Sequence, residues 1–166
     1  MDDSALRERY RSVLERLGEA IARAGRKPEE VRLIAVSKLH PAGDVACVAA
    51  AGQVDFGENY VQEALQKRQE LVAQPQCRDI RWHMIGHVQS RKAAQVAGAF
   101  ALVHTLDSVK LADALEKRAA ALDVVQPVLC EINVGEEPQK AGIMADALPG
   151  LAEHVLAHCP HLEMQG

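Results

Sequence analysis

Aromatic residues are scarce: they make up 3% of 166 residues, with two Phe, two Tyr and one Trp. Apolar residues nevertheless reach 48%, so Leu, Val, Ile and Ala must fill the core. That composition suits helices packed on buried strands better than an aromatic-rich sandwich. No basic block is present and the formal net charge is −4, which argues against a nucleic-acid electrostatic footprint. Cysteine is sparse as well. The four residues, at positions 47, 77, 130 and 159, are scattered and form no Cys-x-x-Cys pair. Neither a disulfide framework nor a structural zinc site is expected, and buried free thiols in a reducing cytosol fit better. The N-terminus, MDDSALRERYR, is charged and polar, unlike a signal peptide, and no apolar run approaches the ~20 residues of a membrane helix. A single cytoplasmic domain with no nucleic-acid or membrane partner is the expectation.

What is present is an alternation of two periodicities. Leu6, Tyr10, Val13, Leu17 and Ile21 recur at helical spacing, so residues 4–24 read as an amphipathic helix. Ser4 is placed to cap it and Gly25 to end it. VRLIAVSK (31–38) reads as a buried strand, and Pro41 and Asp44 open an alanine-rich helix to about Ala51. VDFGEN (54–59) is a strand and turn, followed by a helix through about Leu71. RWHMIGH (81–87) and ALVHTLDS (101–108) read as strands, with SRKAAQVAG (90–98) a helix between them. Asp107 or Ser108 caps a helix to about Ala121, and VQPVLCEINV (125–134) is a strand whose Pro127 suits only its beginning. After a polar loop at 135–142 come a helix at about 144–158 and, in HLEMQG, the opening of a sixth strand. The alternation predicts parallel strands with helical crossovers, without separating a barrel from an open doubly wound sheet. No Gly-x-Gly-x-x-Gly or Walker-type loop follows a strand, so the usual nucleotide motifs are missing.

In such a protein functional groups gather at the C-terminal ends of strands. Lys38 ends the apolar strand LIAVSK. Partial desolvation there would lower its pKa and expose an amine able to condense with an aldehyde. A solvated strand-end lysine fits the same position. Gly57-Glu58-Asn59 ends the second strand, either as an ordinary turn or as a close backbone approach with Asn59 offering a donor and an acceptor. His83 and His87 share a strand face if the strand is regular, and no third metal ligand accompanies them. His154 and His158 share a helix face, but VLA separates them where a zinc protease would place its Glu, so a solvated face is expected. Lys140 lies in the polar loop after the fifth strand, where a solvated lysine and an anion contact are both open.

Taken in order, LIAVSK (33–38), FGENYVQEALQK (56–67), WHMIGHVQSRK (82–92), HTLDS (104–108) and INVGEEPQKAGI (132–143) closely resemble the pyridoxal phosphate homeostasis protein family. The resemblance covers essentially the whole chain. It implies an α/β fold, a (β/α) TIM-type barrel like the N-terminal domain of alanine racemase. It implies pyridoxal 5'-phosphate as cofactor, held as a Schiff base on Lys38, with Asn59, His83 and Lys140 on the cofactor side. It further implies a role in vitamin B6 and amino-acid homeostasis without an established reaction, with pyridoxal phosphate-dependent apo-enzymes as candidate recipients. The rival is a racemase-like or Schiff-base enzyme. Racemisation needs an opposite-face base, and neither Tyr10 nor Tyr60 has an evident claim to that role. The family chain continues well beyond Gly166, so the domain is expected to lack its last strands and much of its phosphate cup. About five strands and the start of a sixth do not close a barrel. As a whole polypeptide the chain would be unstable alone, associate, or bind the cofactor weakly, and a remnant that no longer binds it is a further alternative. The full-length family form is expected to be a monomer.

Overall fold

The computed structural model describes residues 2–166. Six strands, β1 (Ala35–Val36), β2 (Asp55–Glu58), β3 (Arg81–Met84), β4 (Leu102–Leu106), β5 (Gln126–Cys130) and β6 (Leu162–Met164), alternate with six helices. The helices are α1 (Asp3–Arg23), α2 (Ala42–Ala49), α3 (Val61–Leu71), α4 (Ala93–Val96), α5 (Val109–Leu122) and α6 (Leu148–His158). Every pairing is parallel and the spatial order is β1-β2-β3-β4-β5-β6. That order decides between the two sheet types left open above. A doubly wound sheet reverses direction at a switch point, whereas a sheet that adds each strand beside the last is wound as a barrel is. Among the described residues, β1 and β6 each pair on one side only.

The register sorts the side chains. Phe56 is level with Trp82, Met84 with Val103, and Val103 with Val128. These residues form one face and pack under the helices against Leu111 and Leu115 of α5 and Leu151 and Val155 of α6, all buried. Fully burying one such side chain contributes about 1.5–3 kcal/mol. The other face, two-residue periodicity apart, carries Asp55, His83 and His104. This inner face is polar and hydrogen-bonded, while the helix-facing one is the apolar core.

Several boundaries differ from the sequence-based reading. Asp2, not Ser4, caps α1: its side chain accepts a hydrogen bond from the Ser4 backbone N–H. Ser108 caps α5 as expected, accepting from the Leu111 N–H. The strand expected over 31–38 pairs with β2 only at Ala35 and Val36, and the chain then turns through Leu39 at φ +64°. The helix expected over 90–98 is a 3₁₀ turn, Ser90–Lys92, running into α4, and ends before Gly98 at φ +75°. Pro127 sits at the second residue of β5. No helix among the described residues is long and apolar enough to cross a membrane. All four cysteines are free thiols.

Candidate functional site

Because all six strands run the same way, their C-terminal ends meet on one rim. Lys38 lies two residues past β1 on that rim, and its side chain is exposed, the solvated one of the two alternatives the sequence left open. The surrounding backbone is held from below. Ser37 Oγ donates to Glu58 Oε1 at 2.7 Å, and the Ser37 carbonyl accepts from Lys67 Nζ at 2.5 Å. The same ammonium donates to Glu58 Oε1 and to Glu63 Oε1, each at 2.7 Å. Glu63 Oε1 in turn accepts from the Leu39 backbone N–H at 2.6 Å. Both neighbours of Lys38 in the chain are thus tied to one buried charge cluster, while Lys38 projects free of it. Glu63 is pushed up by burial, but the Lys67 and Leu39 hydrogen bonds outweigh this and hold its carboxyl below the usual range.

Asn59 follows β2 on the same rim and lines a cleft with Tyr60, Gly86, His87, Gln89 and Lys92. The backbones of β2 and β3 converge here. A Cβ built at Gly86 would overlap the Asn59 carbonyl oxygen and lie 2.6 Å from its Cα. Only glycine allows that approach. Further round the rim, His87 Nδ1 is 3.1 Å from Asp107 Oδ2, after β4. Glu131, after β5, is close enough for both to act on it. Burial chiefly, then the Asp107 charge, pushes the Glu131 carboxyl up, and His87 pulls the other way.

His83 does not reach the rim. It is 1% exposed on the inner face, with Nε2 2.8 Å from Asp55 Oδ1 and Nδ1 2.9 Å from His104 Nε2. Arg81 Nη2 donates to the second Asp55 oxygen at 2.6 Å. Asp55 is pushed up by burial but held below the usual carboxylate range by its hydrogen bonds from Arg81 and His83. His104 is lowered, first by burial and then by His83. Lys140 is exposed in the loop after β5 and bonded to Glu137 within that loop. Of the four residues singled out from the sequence, Lys38 and Asn59 therefore share the rim proper, His83 lies inside the sheet's inner face, and Lys140 stands on a loop at the same end.

The sequence reading passed over Ser37, Glu63, Lys67 and Glu131, and named Glu58 only within a turn and Asp107 only as a helix cap. One signal was available: Glu63 and Lys67 are four residues apart, the spacing at which an ion pair forms on a helix face. The solvated face expected for His154 and His158 holds at His158, which is exposed, and needs correction at His154. His154 is partly buried against α5, with Nε2 2.6 Å from Asp113 Oδ1.

The model of the family described as alanine racemase, N-terminal domain, matches residues 4–166. The pyridoxal phosphate homeostasis protein of Pseudomonas aeruginosa is 43% identical over 164 residues, which cover 98% of this chain and 69% of that protein. The chain belongs to the pyridoxal phosphate homeostasis protein family, of the alanine racemase N-terminal domain type. A second family member, from Escherichia coli strain K12, is 41% identical over 93% of this chain and 65% of its own length. Among solved structures, PipY of Synechococcus elongatus with pyridoxal phosphate bound superposes with a TM-score of 0.77 at 34% identity, covering 97% of this chain and 68% of that one. The chain thus spans about two thirds of the length of these family members.

Proposed function

We propose that this chain binds pyridoxal 5'-phosphate through Lys38 and serves vitamin B6 and amino-acid homeostasis as a cofactor carrier. The observation that carries the reading is the presentation of Lys38: an exposed amine whose flanking residues are both fastened to the buried Glu58–Lys67–Glu63 cluster. A carrier needs an amine that an aldehyde can reach, on backbone that does not move. The family membership supports the same reading, and the bound ligand named for PipY is this cofactor.

The residues present fit such a ligand. Glu58 Oε2, Asn59 Oδ1 and Glu131 Oε2 are buried acceptors with no hydrogen-bond partner in the protein, and all three follow or end strands at the rim. Unsatisfied buried acceptors are costly; Asn59 Oδ1, on the rim beside Lys38's strand, is the one of the three placed to take a donor group of the cofactor. Asn59 would hold the cofactor's polar edge and Lys38 its aldehyde carbon. His83, through His104, would set the proton balance beneath the ring, and Lys140 would bring a positive charge from the loop. When bound, the cofactor supplies an electrophilic carbon and an electron-withdrawing ring; the chain supplies position and a proton environment.

The carrier reading includes no catalytic turnover of amino acids. Binding alone does not accelerate a reaction; the transition state must be held more tightly than the ground state. Neither tyrosine is set for an opposite-face base. The Tyr10 hydroxyl donates to Gln53 Oε1 at 3.0 Å from α1, and Tyr60 lies exposed beside Asn59. Apo-enzymes that need the cofactor are the fitting recipients, in the cytoplasm and with the carrier acting as a monomer.

The test is a visible absorbance titration of the purified protein with pyridoxal phosphate. A new band above the free cofactor's, lost in Lys38→Ala and unaccompanied by alanine racemisation, is the expected result. Racemisation that disappears in Lys38→Ala would move the assignment to an enzyme.

A further inference from the structure

We propose that Asp113 of α5, His154 of α6 and Cys159, just past α6, form a binding site for one divalent cation of the zinc class. A carboxylate oxygen, an imidazole nitrogen and a thiol sulfur from these residues all lie within 4.8 Å of one another. It is the one such group of three among the described residues. It is separate from the rim, because Cys159 precedes β6 at the N-terminal end of the parallel sheet, whereas Lys38 follows β1 at the other end.

The donor set selects the ion. Thiolate and imidazole are ligands for zinc and its d-block neighbours, while calcium and magnesium are bound through oxygen. Zinc bonds of about 2.0–2.3 Å in a tetrahedron put neighbouring ligand atoms roughly 3.3–3.7 Å apart. The 2.6 Å His154–Asp113 contact must therefore open by somewhat under ~1 Å, with the sulfur within the same reach. Asp113 supplies that opening, since its side chain is 58% exposed on the helix surface. Three protein donors leave the fourth position to water. The two charges of the ion are matched by the Cys159 thiolate and the Asp113 carboxylate.

The surroundings brace the donors. Glu116, one turn along α5 from Asp113, accepts from the His161 backbone N–H at 2.9 Å and is 2.7 Å from His161 Nδ1. The chain just after Cys159 is thereby tied to the helix that carries Asp113. The His158 ring lies 4.9 Å from that of His154, centroid to centroid. Binding forms a sulfur–metal bond as the thiol proton leaves to solvent; His154 coordinates through Nε2 with its own proton on Nδ1. One ion would then fasten α5, α6 and the entry to β6 together.

The experiment uses tag-free protein stripped with a chelator and titrated with Co²⁺ as the spectroscopic probe. A thiolate-to-cobalt charge-transfer band should saturate at one Co²⁺ per chain and be displaced by Zn²⁺. It should persist in Cys130→Ser and vanish in Cys159→Ser. In His154→Ala the affinity should fall at least ~10-fold, since even the outer partners of a metal ligand act on that scale. Circular dichroism checks each variant's fold, and His154→Ala, at a partly exposed position, decides the matter if Cys159→Ser unfolds. Absence of the band in the unaltered protein, or an unchanged affinity in folded His154→Ala, would overturn the proposal.

Discussion

Lys67 Nζ lies 2.7 Å from Glu58 Oε1, and both side chains are shut off from solvent. A buried ion pair stabilises little in net terms, because desolvation offsets most of the attraction. Its effect here is positional: the ammonium spends one donor on the Ser37 carbonyl and another on Glu63, which holds the Leu39 N–H.

Removing one partner should therefore cost far more than removing both. Lys67→Met leaves Glu58 buried and uncompensated, a loss of about 3–5 kcal/mol by chemical denaturation. Adding Glu58→Gln to that variant should recover part of the loss, because the remaining amide is neutral. A double variant no more stable than Lys67→Met alone would show that the pair is not coupled as described.

Gly86→Ala should strike the rim without touching a charged group. The new methyl would press on the Asn59 backbone and push the ends of β2 and β3 apart. Overpacking of this kind costs about 1–3 kcal/mol, and more where backbone must yield. Denaturation midpoints of Gly86→Ala and of a surface control such as Gly43→Ala, which meets nothing within 4 Å, give the comparison. Equal midpoints would contradict it.

The inner-face histidines predict a pH dependence. His104 is lowered by burial and by His83, so the unfolded chain takes up this proton before the folded one does. Stability from this group is present above the ordinary imidazole value and is lost as pH falls from about 6.5 through the lower folded value. Asp55, also lowered, adds a second loss at more acidic pH. Thermal melts should show stability declining below about pH 6.5, with a shallower decline in His104→Asn. An identical slope in that variant would assign the titration elsewhere.

Glu131 works in the opposite sense. Its carboxyl is raised by burial and Asp107, so the folded state disfavours its charged form, a cost that appears as pH rises through the ordinary carboxylate value and beyond. Glu131→Gln should raise the melting temperature at neutral pH, and the gain should shrink near pH ~4 as the native carboxyl protonates. A destabilised Glu131→Gln would mean the carboxylate has a partner in the folded chain.

The sequence made the strand–helix alternation legible because short strand-like runs and helical stripes differ in period, and each of the six strands falls within a segment read as a strand. Barrel-type winding was not legible from periodicity, which does not encode strand order; it came only from the family resemblance of the ordered motifs. Lys38 stood out because an apolar strand ends on it. Its supports did not: Glu58 sits inside a strand and Lys67 on a helix nine residues later, and only the crossover brings them under Ser37. His83 was visible as a strand histidine, but its partners Asp55 and His104 belong to the neighbouring strands, and only the register aligns them. Cys159 meeting Asp113 across two helices left no local spacing to read.

The central claim, that Lys38 carries the cofactor, is tested most directly by borohydride reduction of protein loaded with pyridoxal phosphate, followed by peptide mapping. The chain offers nearby alternatives in Lys67, which is buried and fully engaged, and in Lys92 and Lys140 toward the rim. The account predicts a stable pyridoxyl adduct on the peptide containing Lys38, absent from Lys38→Ala, whose fold should stay within ~0.5 kcal/mol because the side chain is exposed. An adduct found chiefly on Lys92 or Lys140, or undiminished in Lys38→Ala, would contradict it.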